Sequence, residues 1–144
     1  MGMFDSINSA ASGLTAERLR MDVISNNIAN VNTTRTAEGG PYRRQLVTFE
    51  PQTASNSFAS ILSNQMGQNS GVRVSGIIKD PSPLRQVYDP SHPDANQNGY
   101  VEMPNVNVVT EMVDMITSTR SYEANVTVIN SAKSMAAKAL DIGK

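Results

Sequence analysis

The sequence predicts an α+β fold: long N- and C-terminal helices paired as an antiparallel coiled coil, with a small antiparallel β element inserted between them. Apolar residues recur at coiled-coil spacing at both ends of the 144-residue chain. A middle rich in Gly, Pro and Asn separates the two ends. We therefore expect a helical inner domain, residues 1–35 with 105–144, and a small β-rich domain, residues 36–104.

The first helix is indicated by apolar residues at every seventh position: Ile7, Leu14, Met21 and Ile28. With a cap at Asp5 or Ser6, the pattern continues to about Asn32, which predicts a rod about 40 Å long at ~1.5 Å per residue. Gly13 interrupts this helix at a cost of about 1 kcal/mol relative to alanine. It marks either the close approach of a neighbouring helix or a tolerated surface glycine.

Three asparagines near the end of this helix, Asn26, Asn27 and Asn30, are unfavourable in a helix interior because their amides compete for the backbone. If the heptad residues face an intramolecular partner, the three amides face away from it. They are then candidates for contacts between chains. The alternative is a polar last turn that frays in water.

The middle of the chain predicts short strands. A β-rich run spans Tyr42–Phe49, and further strands are expected at 72–78, 84–88 and 100–103, with prolines as breakers between them. Residues 52–71 are rich in Ser, Asn and Gln and are expected to form a mobile loop.

The second helix is expected from near Asn105 to about Ile142, where Gly143 can end it. Its main stripe, with alternating steps of four and three, includes Met112, Tyr122, Val126 and Ile129. Its first half carries a second stripe that includes Val106, Val109, Val113 and Ile116. Two apolar faces require two packing partners, so part of this surface should meet another chain or stay exposed.

Composition argues against several functions. A net charge of −1 and 5% aromatic residues leave neither a basic face nor stacking surfaces for nucleic acid. The chain has no cysteine, which excludes disulfides and thiolate metal sites. It has no apolar run of about 18 residues and no secretory signal pattern, so we expect no direct membrane insertion and, for an exported chain, a route without a cleaved signal peptide.

No motif points to catalysis, a cofactor or a small-molecule substrate. Asp94, Asn96, Asn98 and Gly99 match the start of a calcium loop, but the position that should supply a bidentate Glu is Asn105, so a plain Asn/Gly turn is the alternative. His92, the only histidine, has no partner that would make it a ligand or a base. A hydrolase acting on peptidoglycan would need a placed carboxylic acid, and no glutamate in the middle has a patterned partner.

Three tracts together resemble the flagellar basal-body rod protein C family, a proximal-rod subunit of the bacterial flagellum. The first joins residues 9–16 (SAASGLTA) to 26–33 (NNIANVNT) and resembles the signature shared by rod and hook proteins. The second is 87–95 (VYDPSHPDA) with 99–101 and 103–107, and the third is 120–125 (RSYEAN) with 133–135.

This resemblance implies a non-enzymatic subunit of the periplasmic rod that is exported through the flagellar type III channel. It implies contacts with other rod proteins and with the export-gate adaptor, self-association in the rod, and a role in torque transmission. Heterologous packing of surplus helix surface would generate a helical tube rather than a closed ring. A cytoplasmic coiled-coil adaptor or chaperone is the alternative function, because it would share the helices.

Overall fold

A computed structural model of the chain describes residues 3–52 and 71–142. Its helices are α1 (Met3–Ala29) and α2 (Val108–Ile142). Its strands are β1 (Gln45–Pro51), β2 (Val72–Lys79), β3 (Arg85–Tyr88) and β4 (Tyr100–Met103). The α+β prediction is confirmed. The expected mobile loop lies almost entirely outside the described residues, and the domain bounds remain a prediction.

The two helices pack side by side in opposite directions. Asn27 of α1 contacts Glu111 of α2, and Gly13, fourteen residues earlier, lies against Asn125, fourteen residues later. Because α2 has 35 residues and α1 has 27, α2 extends past the start of α1 by about two turns. Leu140, in this extension, is 74% exposed.

Small and polar residues form the α2 side of the helix contact. Glu111, Ser118 and Ala132 are at most 2% exposed, and they fall on one heptad register with Asn125. A Cβ added to Gly13 would lie 2.9 Å from Asn125 Nδ2, so the glycine marks the close approach of a neighbouring helix. A register of small side chains lets the two backbones approach more closely than a leucine seam would.

Both helices are shorter than the sequence indicated at the ends that face the β-rich domain. The helix α1 stops at Ala29 and continues only as a turn. The helix α2 begins at Val108 because Asn107 caps it, its Oδ1 accepting hydrogen bonds from the N–H groups of Val109 (3.0 Å) and Thr110 (3.4 Å). The expected start near Asn105 was therefore wrong by three residues.

The strands form two separate antiparallel hairpins. In the first hairpin, β1 pairs with β2 from Gln45↔Lys79 to Pro51↔Val72, with a bulge where Thr48 pairs with Gly76 and Phe49 with Val74. This hairpin packs on α1, around the buried Val23 and Ile24.

In the second hairpin, β3 pairs with β4, and Tyr88 packs edge-to-face on Tyr100 with ring centroids 5.3 Å apart. Among the described elements, β3 and β4 lie close only to each other. The second hairpin contacts the loop after α1 instead. There the Thr34 hydroxyl donates a hydrogen bond to Asp94 Oδ2 over 2.8 Å. Val101 is its buried residue, at 1% exposure.

Candidate assembly interface

Asn27 lies at the centre of the contact between α1, α2 and the first hairpin, and it is 1% exposed. Its Nδ2 donates hydrogen bonds to the Gln45 carbonyl (2.9 Å) and to Glu111 Oε2 (3.0 Å). Its Oδ1 accepts hydrogen bonds from the Tyr42 hydroxyl (2.9 Å) and the Gln45 N–H (2.9 Å). The amide therefore uses both donors and both acceptor positions.

An ionic cluster continues from Asn27 along α2. Glu111, fully buried, accepts a hydrogen bond from Arg44 Nε over 2.5 Å, and Arg44 Nη2 lies 3.2 Å from Asp114 Oδ2. Arg20 adds a second guanidinium 3.8 Å from Asp114. Burial, with the Glu111 carboxylate as a smaller cause, raises the pKa of the Tyr42 phenol. The buried Glu111 carboxylate is thus both ion-paired, with Arg44, and hydrogen-bonded, as a buried charge requires.

On its opposite side, α2 presents an exposed apolar face. Four residues form this outer face. Their side chains are exposed as follows: Val109 70%, Met112 54%, Val113 57% and Ile116 54%. Their spacing of three, one and three residues places them on one side of the helix, about half a turn from Glu111 and Ser118. Within the described part of the chain, no other element covers this face.

The other predicted apolar interface residues lie at the edges of the helix contact, all half-buried: Ile7, Leu14, Met21, Ile28, Tyr122, Val126 and Ile129. The Thr119 hydroxyl approaches Met21 Sδ to 3.7 Å across the contact. This set is thus half-buried, whereas Val109, Met112, Val113 and Ile116 are exposed.

The three asparagines separate into different environments. The expectation that Asn27 faces away from the partner helix was wrong, since its side chain is buried against α2. Asn30 is half-buried and bonded locally, its Nδ2 to the Asn26 carbonyl (2.9 Å) and its Oδ1 to the Thr33 hydroxyl (3.1 Å). Of the three asparagines, only Asn26 is exposed.

Sequence reasoning did not identify the ionic cluster. Arg44 lies within the run Tyr42–Phe49 that predicts a strand, and no sequence pattern singled out Glu111. A signal was available in the heptad spacing of Glu111, Ser118, Asn125 and Ala132, because polar and small residues at that spacing are compatible with a close helix contact. Of the second apolar stripe, expected to meet another chain or stay exposed, Val109, Val113 and Ile116 are exposed and Val106 is buried.

In the loop between β3 and β4, polar side chains form hydrogen bonds with other groups of the same chain. Asp94 accepts from Thr34, and Asn96 Oδ1 accepts from the N–H groups of Asn98 (2.9 Å) and Tyr100 (3.0 Å). Gly99 has a φ of 78°, which favours glycine in this tight turn. The geometry is that of the Asn/Gly turn, and His92 Nδ1 accepts a local bond from the Asp94 N–H at 3.1 Å.

Residues 3–52 and 71–142 contain no group of three acidic, His or Cys side chains placed to hold a metal ion. Neither described helix combines the length and the apolar composition that crossing a lipid bilayer requires.

Comparison with known families identifies the class of protein. Residues 7–35 match the model of the flagella basal body rod protein, and residues 97–142 match that of the flagellar basal body rod FlgEFG protein C-terminal region. These two matches cover most of α1 and all of α2, the elements that form the helix pair. The class is that of flagellar axial rod proteins.

Relatives that match over the whole chain narrow this class. The chain is 58% identical to flagellar basal-body rod protein FlgC of Borreliella burgdorferi, over 99% of this chain and 98% of that protein. It is 52% identical to the FlgC protein of Bacillus subtilis and 37% identical to that of Salmonella typhimurium, each over the full length of both chains. The chain belongs to the flagellar basal-body rod protein FlgC family and is a structural component of the basal-body rod.

Proposed function

We propose that this chain is a proximal-rod subunit whose paired terminal helices assemble into a helical tube that transmits torque. The observation that carries this proposal is the outer face of α2, where four large apolar side chains are each more than half exposed. A contiguous exposed apolar patch marks a protein interaction site.

The position of the outer face favours an open assembly. The face and the helix contact lie on opposite sides of α2, so a neighbour on the outer face adds to the helix pair without replacing α1. A contact between two different surfaces of identical or related subunits is heterologous, and it generates a helical array when its rotation does not close. Asn26 on α1 supplies a second, polar contact in this proposal.

The neighbours in this proposal are other rod proteins, further copies of the chain and the export-gate adaptor. The chain reaches the periplasmic rod by flagellar type III export. A composition without cysteine supports this route, because an exported chain then cannot be cross-linked in transit.

Placing charge on the outer face tests the contact. We expect Met112→Glu combined with Val113→Glu to abolish incorporation into basal bodies, because two carboxylates would have to be desolvated there. Thr117→Glu is the matched control, because it adds a charge to an exposed position beside the face. The measurement is the amount of tagged chain in detergent-extracted basal bodies. Normal incorporation of the double variant would exclude the outer face as a contact.

The same preparation, stripped of hook and filament, tests the position in the rod. A stoichiometric amount of the tagged chain in the stripped basal bodies, retained when the distal rod is absent, is the result expected for a proximal subunit. A chain that stays in the cytoplasmic fraction would instead support the adaptor or chaperone function.

A further inference from the structure

The inner end of the first hairpin is joined to α2 by one side chain. Arg44 directly precedes β1, and its guanidinium lies 2.5 Å from Glu111, 3.2 Å from Asp114 and 3.9 Å from Asp80. Glu111 is in the first turn of α2, and Asp80 directly follows β2. Arg44 thus connects the first and the last residues of the hairpin to the beginning of α2.

The backbone at the same point is held on every side. The Arg44 N–H donates to Asn105 Oδ1 (2.8 Å), and its carbonyl accepts from the Asp80 N–H (2.8 Å). Both backbone polar groups of the next residue, Gln45, bond to the amide of Asn27 on α1. Four parts of the chain meet here: α1, the hairpin, the segment before α2, and α2 itself.

At the outer end of the hairpin, among the described residues, the Val72 N–H donates an exposed hydrogen bond to Ser12 Oγ on α1 over 3.0 Å. The two attachments are about 20 Å apart along the strands, at ~3.3 Å per residue. The attachment at Arg44 is charge-assisted and includes the fully buried Glu111, so it belongs to the stronger kind of hydrogen bond and adds to the packing of the hairpin on α1.

Burial of Glu111 makes the two halves of this attachment depend on each other. Removing the guanidinium alone leaves an uncompensated buried charge and strongly destabilises the fold, whereas removing the carboxylate charge as well relieves that penalty. We infer that Arg44 and Glu111 form a joint that fixes the first hairpin in one orientation on the helix pair and makes docking of the first turn of α2 conditional on the seated hairpin. This inference is independent of how the rod is assembled.

Distance measurements on the full chain test the joint. The natural chain has no cysteine, so Ser75→Cys on β2 and Asn130→Cys on α2, both exposed, accept spin labels without competing sites. With Arg44 intact, we expect one narrow distance distribution between the labels. Arg44→Met should at least double its width. Arg44→Met with Glu111→Gln, which removes the buried charge and keeps an acceptor for Asn27 Nδ2, should return it most of the way to the original width.

Arg73→Met is the matched control, because it removes an Arg–Glu pair from the same hairpin where Arg73 is 57% exposed. We expect it to leave the distribution unchanged. A broad distribution in the labelled chain with Arg44 present would overturn the inference. An unchanged distribution in Arg44→Met would overturn it as well.

Denaturant unfolding of the same variants covers the case in which Arg44→Met does not fold. We expect that variant to lower the folding equilibrium constant more than tenfold, and the double variant to recover most of that loss. A double variant at least as unstable as Arg44→Met alone would show that the two residues act independently, and would overturn the joint.

Discussion

At the scale of single residues, one amide connects the last turns of α1 to α2 and to the first hairpin. Asn27 replaces what would be an apolar contact with four hydrogen bonds to α2, Tyr42 and the start of β1. Asn26, its neighbour, faces solvent. Residues of the same type at adjacent positions therefore have opposite roles.

Replacing Asn27 should be costly. We expect Asn27→Leu to lower the free energy of unfolding by ~3 kcal/mol, because the Glu111 carboxylate and the Gln45 backbone would lose partners in a buried site. Asn26→Leu, the control, should change it by less than ~0.5 kcal/mol. Denaturant unfolding measures both. Equal effects of the two variants would contradict the structural difference between them.

Tyr42 gives this site a pH dependence. Because its pKa is raised in the folded protein, Tyr42 contributes stability that is fully present below its unfolded pKa of about 10 and is lost as pH rises through the folded pKa. We expect Tyr42→Phe to lose less stability than the wild type as pH rises above about 10. Denaturant midpoints compared between pH 8 and 11 measure this difference, and parallel curves would contradict it.

At the scale of elements, the helix pair depends on small residues at the contact. Gly13 lies against Asn125 of α2 and Ala132 is buried, whereas Ala139, on the extension of α2, is exposed. The larger apolar residues lie beside or outside this contact. The packing of α1 against α2 therefore depends on the small size of the residues at their contact.

Enlarging a contact residue should separate the helices. We expect Ala132→Leu to destabilise the chain by about 1–3 kcal/mol through overpacking, and Ala139→Leu to be nearly neutral. Thermal unfolding of the two variants, which make the same chemical change on the same helix, gives the comparison. A neutral Ala132→Leu would mean that α2 can move away from α1 at no cost.

The sequence predicted which segments form helices and strands, but it predicted less well which face of each helix packs against its partner. Heptad spacing predicted both helices, and alternation with proline breakers predicted all four strands, because these are local patterns. The identity of the contact face on α2 was not local: it depends on Gly13 opposite Asn125 and on Arg44 opposite Glu111, pairs separated by 112 and 67 residues. The exposed asparagine could not be told from the buried one for the same reason.

At the scale of the whole molecule, the two hairpins differ in how they are attached. The first hairpin packs on α1 and is bonded to α2 through the ionic cluster at Arg44 and Glu111. The second hairpin contacts the loop after α1. The chain therefore contains one strongly connected unit, formed by the helices with the first hairpin, and one peripheral unit.

This difference predicts independent local opening. We expect Val101→Ala, which truncates the buried residue of the second hairpin, to raise amide exchange rates in β3 and β4 at least tenfold while those in α1 and α2 stay within twofold. Hydrogen exchange by mass spectrometry measures both regions. A matching rise in the helices would show that the chain opens as one cooperative unit.

The first hairpin is closed at its outer end by its own backbone, since Pro51 pairs with Val72 and the Gln52 N–H donates to the Gly71 carbonyl over 3.0 Å. The strands therefore meet at a fixed point whatever length of chain joins them. For a flexible connection, doubling the length costs only ~0.6 kcal/mol of closure entropy. An epitope or fluorescent peptide spliced between residues 52 and 71 should thus leave strand register unaltered, making this the place to attach a reporter.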